Sequence, residues 1–109
     1  MQISQDLEVY FASIQDKKVE EADDLQIIVQ LILHGAGGGK FVLHLNRGRV
    51  AVAVGQLPKP NFTVAMSIQD FILLTRNEID PLGLVLKGRI SFDGDRLLAM
   101  RVATIMQNL

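Results

Sequence analysis

The sequence lacks cysteine, has few prolines and shows neither a large excess of one charge nor a long apolar run. Without cysteine, thiol catalysis, disulfide frameworks and Cys-based zinc sites are excluded. Eleven basic residues face twelve acidic ones, which makes nucleic-acid binding unexpected because such proteins normally carry a basic excess. No apolar stretch approaches the ~20 residues that span a bilayer, so stable membrane insertion is not expected either.

Length and the start of the chain set further bounds. The 109 residues suffice for one domain with a sizeable core and are too few for two ordinary ones. We therefore expect residues 1–109 to form a single domain. Met1 to Glu8 has no apolar segment of the kind found in signal peptides, and a cytoplasmic location is the expectation.

Apolar periodicity divides the chain into strands and helices. Apolar and polar residues alternate with the period of two that is typical of strands at 25–34, 41–46, 50–54, 62–66 and 90–93. The first three strands are joined by glycine-containing turns and are predicted to form an antiparallel meander. Apolar stripes and capping residues predict helices at 7–14, 67–75, 80–86 and from 94 to the C-terminus. One face of the sheet is apolar and the other mixed, so the expected fold is α+β with helices on one face only.

The glycine run at 35–39, followed by Lys40, suggests a phosphate-binding loop, but its spacing does not fit. His34 stands where the leading glycine of that motif belongs, and Phe41 stands where Ser or Thr should follow the lysine. A strand also follows the run, where a helix would be needed. A flexible hairpin turn is the better interpretation.

No set of residues suited to catalysis or metal binding emerges from the sequence. His34 and His44 fall on adjacent strands and the same sheet face, but no third ligand for zinc is evident. Ser67 and Asp70 are better explained as a helix start than as parts of a nucleophilic site. We therefore expect a non-enzyme without metal or cofactor.

The middle and last helices carry more apolar residues than one buried face requires. On the last helix Leu98, Val102 and Ile105 form one stripe, while Leu97 and Met100 project from the far side. The surplus fits either an ordinary core with a small dimer contact or helical lids over an apolar pocket. Composition alone leaves both alternatives open.

Self-association is a further expectation. Apolar residues on the mixed sheet face, namely Ile28, Ile32 and Val42, are predicted to be exposed. A homodimer could form through them, or through Leu97 and Met100.

Several motifs from Gly38 onward occur in a recognisable order. They are Gly38-Gly39-Lys40-Phe41, Phe62 to Ser67 leading into Asp70-Phe71, Asp80-Pro81, and finally Lys87 to Asp95 followed by Leu98 to Arg101. In this order they resemble the sterol carrier protein 2 family, and the C-terminal string is the most specific part. The resemblance implies a five-stranded, mainly antiparallel sheet, helices on one face and an apolar tunnel between the layers.

Members of that family bind fatty acyl chains, acyl-CoA, sterols or phospholipids, so the resemblance implies a non-catalytic carrier of lipid-like or quinone-like molecules. By position, the implied guest-facing residues are Phe71, Leu74, Leu82, Val85, Leu86, Leu98, Val102, Ile105 and Met106. Gly83-Leu84 and Leu97 depart from the family pattern and are expected to change the volume of the tunnel. The alternative is a protein-interaction or accessory module that kept the fold but filled the tunnel.

Overall fold

The computed structural model describes residues 3–107 and 109, which form four α-helices, one 3₁₀ turn and five strands. In chain order they are α1 (Gln5–Ile14), the 3₁₀ turn (Glu20–Ala22), β1 (Gln26–His34), β2 (Gly39–Asn46), β3 (Arg49–Val54), β4 (Phe62–Ser67), α2 (Ile68–Thr75), α3 (Pro81–Leu86), β5 (Ser91–Gly94) and α4 (Arg96–Gln107). The predicted strands and helices are confirmed. The predicted continuation of the last helix crosses Asn108, which lies outside the described residues.

The five strands form one mixed sheet in the order β3-β2-β1-β4-β5. β1, β2 and β3 make the predicted antiparallel meander, and β5 pairs antiparallel with β4. β4 instead runs parallel to β1, with Val29 opposite Phe62 and Leu33 opposite Met66. The expectation of a five-stranded, mainly antiparallel sheet in an α+β fold is confirmed.

The core lies between the inner face of the sheet and the helices. Alternate residues of β1, from Ile27 to Leu33, point inward and are buried, as the period of two requires. Leu7 and Ile14 of α1 are fully buried against this layer. α2 packs against β1 and β4 and contacts both α1 and α4, so it occupies the centre of the helical layer.

The turn between β2 and β3 fixes the connector that precedes the sheet. Gly48 has φ of 85°, and its carbonyl oxygen accepts a hydrogen bond of 2.7 Å from the Val19 N–H. A Cβ at this glycine would collide with the carbonyl oxygen of Val19. Only glycine therefore satisfies both the turn and the close approach of the connector.

The outer face of the sheet is partly covered, contrary to the sequence expectation. Because β3 lies at one edge and β4 lies beyond β1, the segment 55–61 that joins them must cross β2 and β1. Gln30 holds this segment in place by donating to the Gly55 carbonyl oxygen and accepting from the Leu57 N–H. Val42, opposite Gln30 in register, is buried, so the prediction that it is exposed was wrong. Ile28 and Ile32 are half-buried.

Candidate functional site

The nine residues implied as guest contacts lie on three helices and differ in burial. α2 carries Phe71 and Leu74, α3 carries Leu82, Val85 and Leu86, and α4 carries Leu98, Val102, Ile105 and Met106. Phe71, Val102 and Ile105 are buried, Leu74, Leu98 and Met106 are half-buried, and the three residues of α3 are exposed. As guest contacts, all nine remain a prediction.

Six of the nine belong to one apolar layer. Phe71, Val102 and Ile105 are members of the core cluster, and Leu74, Leu98 and Met106 pack against it. The contact between α2 and α4 brings them together on the inner side of the helices. The half-buried members are two leucines and one methionine, and these flexible side chains can adapt to the shape of a guest.

An aromatic cluster forms the wall of this layer on the α1 side. The Phe71 ring meets the Tyr10 ring edge-on at a centroid distance of 5.7 Å and lies 6.1 Å from Phe11. Phe11 in turn lies 4.9 Å from Phe41 of β2. Burial raises the pKa of the Tyr10 hydroxyl to about 12, so the ring is neutral at physiological pH. This wall is apolar and uncharged.

α3 is attached to the protein by one buried residue and by its two ends. Leu84 is fully buried, whereas the neighbouring apolar residues of the helix face solvent. Asp80 caps the N-terminus by accepting from the Leu82 N–H at 3.4 Å. Gly88, with φ of 69°, follows the helix, and the Arg89 N–H returns to the Leu84 carbonyl oxygen.

A bidentate ion pair fastens the end of α3 to α2. Arg89 donates from Nε and Nη2 to the two carboxylate oxygens of Asp70, at 3.0 and 2.6 Å. The Asp70 side chain is only 3% exposed, while that of Arg89 is half exposed. Ser67 does cap α2 as predicted, by accepting from the Asp70 N–H. The Asp70 carboxylate, however, binds Arg89 and does not complete a capping box.

Two surface clefts open elsewhere on the molecule. One, of about 280 Å³, lies between α1 and β3 and is lined by Phe11, Phe41 and Val52 among others. The second, of about 470 Å³, lies under the crossing segment on the outer sheet face, next to Gln30 and Ile32. None of the nine predicted guest contacts lines either cleft.

The placement of the acidic and histidine side chains bears on metal binding. Within residues 3–107 and 109, no group of three or more His, Cys, Asp or Glu side chains is placed to hold a metal ion. His44 of β2 pairs with Ile28 of β1, whereas His34 is itself on β1 and pairs with Ser67 of β4. Because Ile28 and His34 are six positions apart on β1, the two histidines are separated by the same distance along the sheet. What the arrangement offers chemically is apolar surface of adjustable shape.

The burial of Leu84 differs from what the apolar pattern of α3 suggests. The sequence pattern suggests surplus apolar bulk near the pocket, whereas Leu84 is the one fully buried residue of α3. Its position four residues after Asp80, on the face opposite Val85 and Leu86, is the signal that could have identified it. Leu97 is well exposed and so adds no bulk inside the layer.

The match to known families decides the relationship of this chain. Residues 7–107 match the SCP-2 sterol transfer family. The chain belongs to this family. The resemblance stated from the motifs after Gly38 is thereby confirmed, and the matched range begins within α1 and ends with α4.

Relatives of this SCP-2 chain include parts of larger proteins. The chain is 31% identical over 108 residues to hydroxysteroid dehydrogenase-like protein 2 of Xenopus tropicalis, covering 96% of this chain and 26% of that protein. The sec-alkylsulfatase Pisa1 of Pseudomonas sp. superimposes with a TM-score of 0.77 at 15% identity, over 94% of this chain and 16% of that one. The chain thus spans about a quarter or less of these two proteins.

A third relative has nearly the same length as this chain. The palmitated SCP2L2 of Aedes aegypti superimposes with a TM-score of 0.68 at 19% identity, covering 97% of this chain and 95% of that one. At this identity the likeness supports the shared fold. Within residues 3–107 and 109, no helix is long and apolar enough to cross a membrane.

Proposed function

We propose that this chain binds molecules with a long apolar segment, such as fatty acyl chains, and carries or presents them without catalysing a reaction. The observation that carries the proposal is the apolar layer between α2, α4 and the sheet in a chain of the SCP-2 sterol transfer family. Its half-buried members Leu74, Leu98 and Met106 are the first surfaces a guest would meet. The palmitated relative supports an acyl chain as the guest.

Space for the guest would come from movement of α3. This helix has one buried residue, Leu84, and its flanks contain Asn77 and Gly88, both with positive φ. A segment with few buried contacts opens at lower free-energy cost than the core. Lifting α3 would move Leu84 out of its buried position while the Arg89–Asp70 pair still holds the following strand.

The free energies involved allow binding without a charged anchor. Burying about ten methylene groups at ~0.8 kcal/mol each contributes roughly 8 kcal/mol before costs. Loss of rotational freedom and the ordering of the chain subtract several kcal/mol. A dissociation constant in the micromolar range, with weak selection of the head group, is therefore expected.

A titration with a fluorescent fatty-acyl probe tests the proposal. We expect the emission to saturate at one probe per chain and to fall when unlabelled palmitate is added, because both occupy the same layer. Non-specific adsorption of the probe is controlled by repeating the titration on the heat-unfolded chain, which lacks the layer. Emission that rises linearly up to tens of micromolar would contradict the proposal.

The second candidate function is that of an interaction or accessory module with a filled tunnel. Buried Phe71, Val102 and Ile105 occupy the layer in this structure, and that observation favours it. Under this alternative the probe emission does not saturate, and added lipid leaves the stability of the chain unchanged. The same titration therefore separates the two functions.

A further inference from the structure

The edge strand β3 is paired along only part of its outer side. β3 stands at the end of the sheet order, so no strand of the sheet lies beyond it. The segment after α1 occupies the first part of this side. The Val50 N–H donates to the Lys17 carbonyl oxygen at 2.9 Å, and the Val50 carbonyl oxygen accepts from the Asp16 N–H at 2.8 Å. The edge of β3 therefore already accepts an extended segment, one that belongs to the protein itself.

A glutamine side chain adds one bond to this pairing, and the rest of the edge is open. Gln15 Oε1 accepts from the Val52 N–H at 2.9 Å, as the carbonyl oxygen of a neighbouring strand would. The Gly55 N–H donates to Lys40 of β2, so by alternation the N–H and C=O of Val54 and the C=O of Val52 point outward. Within residues 3–107 and 109, these three groups have no hydrogen-bond partner.

An apolar cleft opens beside these unpaired groups. Val52 and Val54 line the cleft of about 280 Å³ from the strand, and Phe11 and Ala12 line it from α1. Val54 is 73% exposed although Phe41, its register partner on β2, is buried. The volume lies just below the ~300–1,000 Å³ of typical small-molecule pockets. The cleft therefore suits one or two side chains better than a whole small molecule.

The charge beside the cleft favours a basic group on the occupant. Glu8 of α1 lines the cleft and is exposed. Its carboxylate forms no ion pair within residues 3–107 and 109. Apart from Glu8 and Gln15, the residues that line the cleft are apolar. Complementary chemistry is thus a pair of apolar side chains next to one cation.

We propose that the β3 edge at Val52 and Val54 binds an extended peptide segment of a partner protein, with apolar side chains at alternate positions and a basic residue beside them. Two N–H groups of the segment would donate to the carbonyl oxygens of the two valines, and one of its carbonyl oxygens would accept from the Val54 N–H. Residues opposite each other on neighbouring strands share a face. The apolar side chains would therefore enter the cleft and the cation would lie near Glu8.

The open length of the edge favours a peptide over a second copy of this chain. Pairing of two β3 strands would need the outward groups of Val50 and the Val52 N–H, which Lys17, Asp16 and Gln15 already use. Three free backbone groups and a small cleft match a segment of a few residues. This inference is independent of the proposed lipid binding, since none of the nine predicted guest contacts lines the cleft.

A titration with a short peptide tests the site. The probe is the acetylated and amidated peptide Lys-Leu-Thr-Leu-Lys, added to isotope-labelled chain and followed by the amide resonances in NMR. We expect saturable shifts at Val52, Val54 and Ala12, and a downfield shift of the Val54 N–H because it gains a hydrogen bond. The absence of saturable shifts at these residues would overturn the proposal.

Methylated peptides test the backbone pairing. Methylation of both leucine nitrogens removes the N–H groups that would face Val52 and Val54, and should weaken binding about fivefold or more for each lost hydrogen bond. The matched control is methylation of the threonine nitrogen, whose N–H would point away from the edge. That peptide should bind like the unmodified one. Equal weakening by both methylations would overturn the pairing.

Variants of α1 test the cleft. Ala12→Phe should fill it and weaken peptide binding by about tenfold or more. Val9→Phe is the control, because Val9 is exposed on the same helix and does not line the cleft. Equal weakening in both variants would overturn the assignment. Glu8→Lys should weaken binding of the lysine peptide and favour its counterpart Glu-Leu-Thr-Leu-Glu. The melting temperature verifies folding.

The outcome is distinguishable from failure of the proposed function. Palmitate should not displace the peptide, and displacement would overturn the separate site by assigning the cleft to the lipid. Peptide binding without saturable acyl-probe binding supports the peptide site and contradicts the proposed function. Saturable acyl-probe binding without peptide binding overturns the peptide site alone. Loss of an existing dimer in Ala12→Phe, without peptide binding by the wild type, would identify a second copy as the occupant and overturn the proposal.

Discussion

Tyr10 is the only tyrosine of the chain, so its ionisation can be followed without interference. Burial raises its pKa from 10.0 to about 12 in the folded protein. Because the folded pKa lies above the unfolded one, the stability linked to the neutral hydroxyl is complete below pH 10 and is lost as the pH rises towards 12. Tyrosinate absorbance should accordingly titrate near pH 12 in the native chain.

The control for this titration is Tyr10→Phe, which keeps the ring against Phe71. Between pH 10 and 12 the free energy of unfolding of the wild type should fall by about 1.4 kcal/mol for each pKa unit. The free energy of unfolding of Tyr10→Phe should not show this fall. Tyrosinate absorbance appearing near pH 10 in folded protein would contradict the burial of this hydroxyl.

Two bidentate arginine–aspartate pairs allow the effect of burial to be measured. Arg89 binds the buried carboxylate of Asp70, whereas Arg101 binds Asp24 at the surface with the same short distance of 2.6 Å. The hydrogen bond from Arg101 lowers the pKa of Asp24, and both side chains are well exposed. Both contacts are bidentate, although Arg101 uses Nη1 and Nη2 and also donates to the Glu21 carbonyl oxygen. The second pair therefore serves as an exposed control for the first.

We predict that Arg89→Ala costs about 3 kcal/mol of unfolding free energy, since it leaves a buried carboxylate unpaired. Arg101→Ala should cost much less, as is typical of exposed pairs. Urea denaturation of both variants measures the difference. Adding Asp70→Asn to Arg89→Ala should recover part of the loss; no recovery would show that the charge is not its cause.

Among the helices, α4 offers the sharpest test of the lipid site because its inner stripe contacts the core. Ile105→Trp should weaken acyl-probe binding while the chain stays folded, because a guest space beside Ile105 would take up the added bulk. Leu97→Trp, on the outer side of the same helix, should leave the probe affinity unchanged. Melting temperature and probe affinity are measured on both variants.

If Ile105 touches only core atoms, the tryptophan would instead impose strain of ~1–3 kcal/mol or more. The truncation Ile105→Ala would then cost ~2–5 kcal/mol in the usual manner of a core residue. Loss of the folded state in Ile105→Trp, with probe affinity unaffected in Ile105→Ala, would remove α4 from the site.

The elements differ in how far the sequence could predict them. Turns and caps were predictable because their signals are local, as at Ser67, Asp80 and Gly88. The ion pair between Asp70 and Arg89 was not predictable, because it joins residues nineteen positions apart through the packing of α3.

The remaining differences between the sequence predictions and the structure arise from contacts between residues that are far apart in the chain. Strand periodicity located β4 but could not show that it lies parallel to β1, and the burial of Val42 follows from that arrangement. For the candidate site, periodicity identified the inner stripe of α4 but could not tell that Leu82, Val85 and Leu86 face solvent. Which face a six-residue helix buries depends on its neighbours.

The molecule as a whole combines one packed apolar layer with a loosely attached helix. The sheet, α1, α2 and α4 share one apolar core, while the one buried residue of α3, Leu84, lies outside that cluster. We expect a protein built this way to admit an apolar guest without unfolding, because opening would involve a segment with few buried contacts.

Native mass spectrometry of freshly expressed chain tests the central claim, the binding of lipid, most directly. We expect a species heavier than the bare chain by one lipid, which disappears when the protein is denatured and reappears when refolded protein is incubated with palmitate. A spectrum that shows only the bare chain, both as purified and after incubation with palmitate, would contradict it.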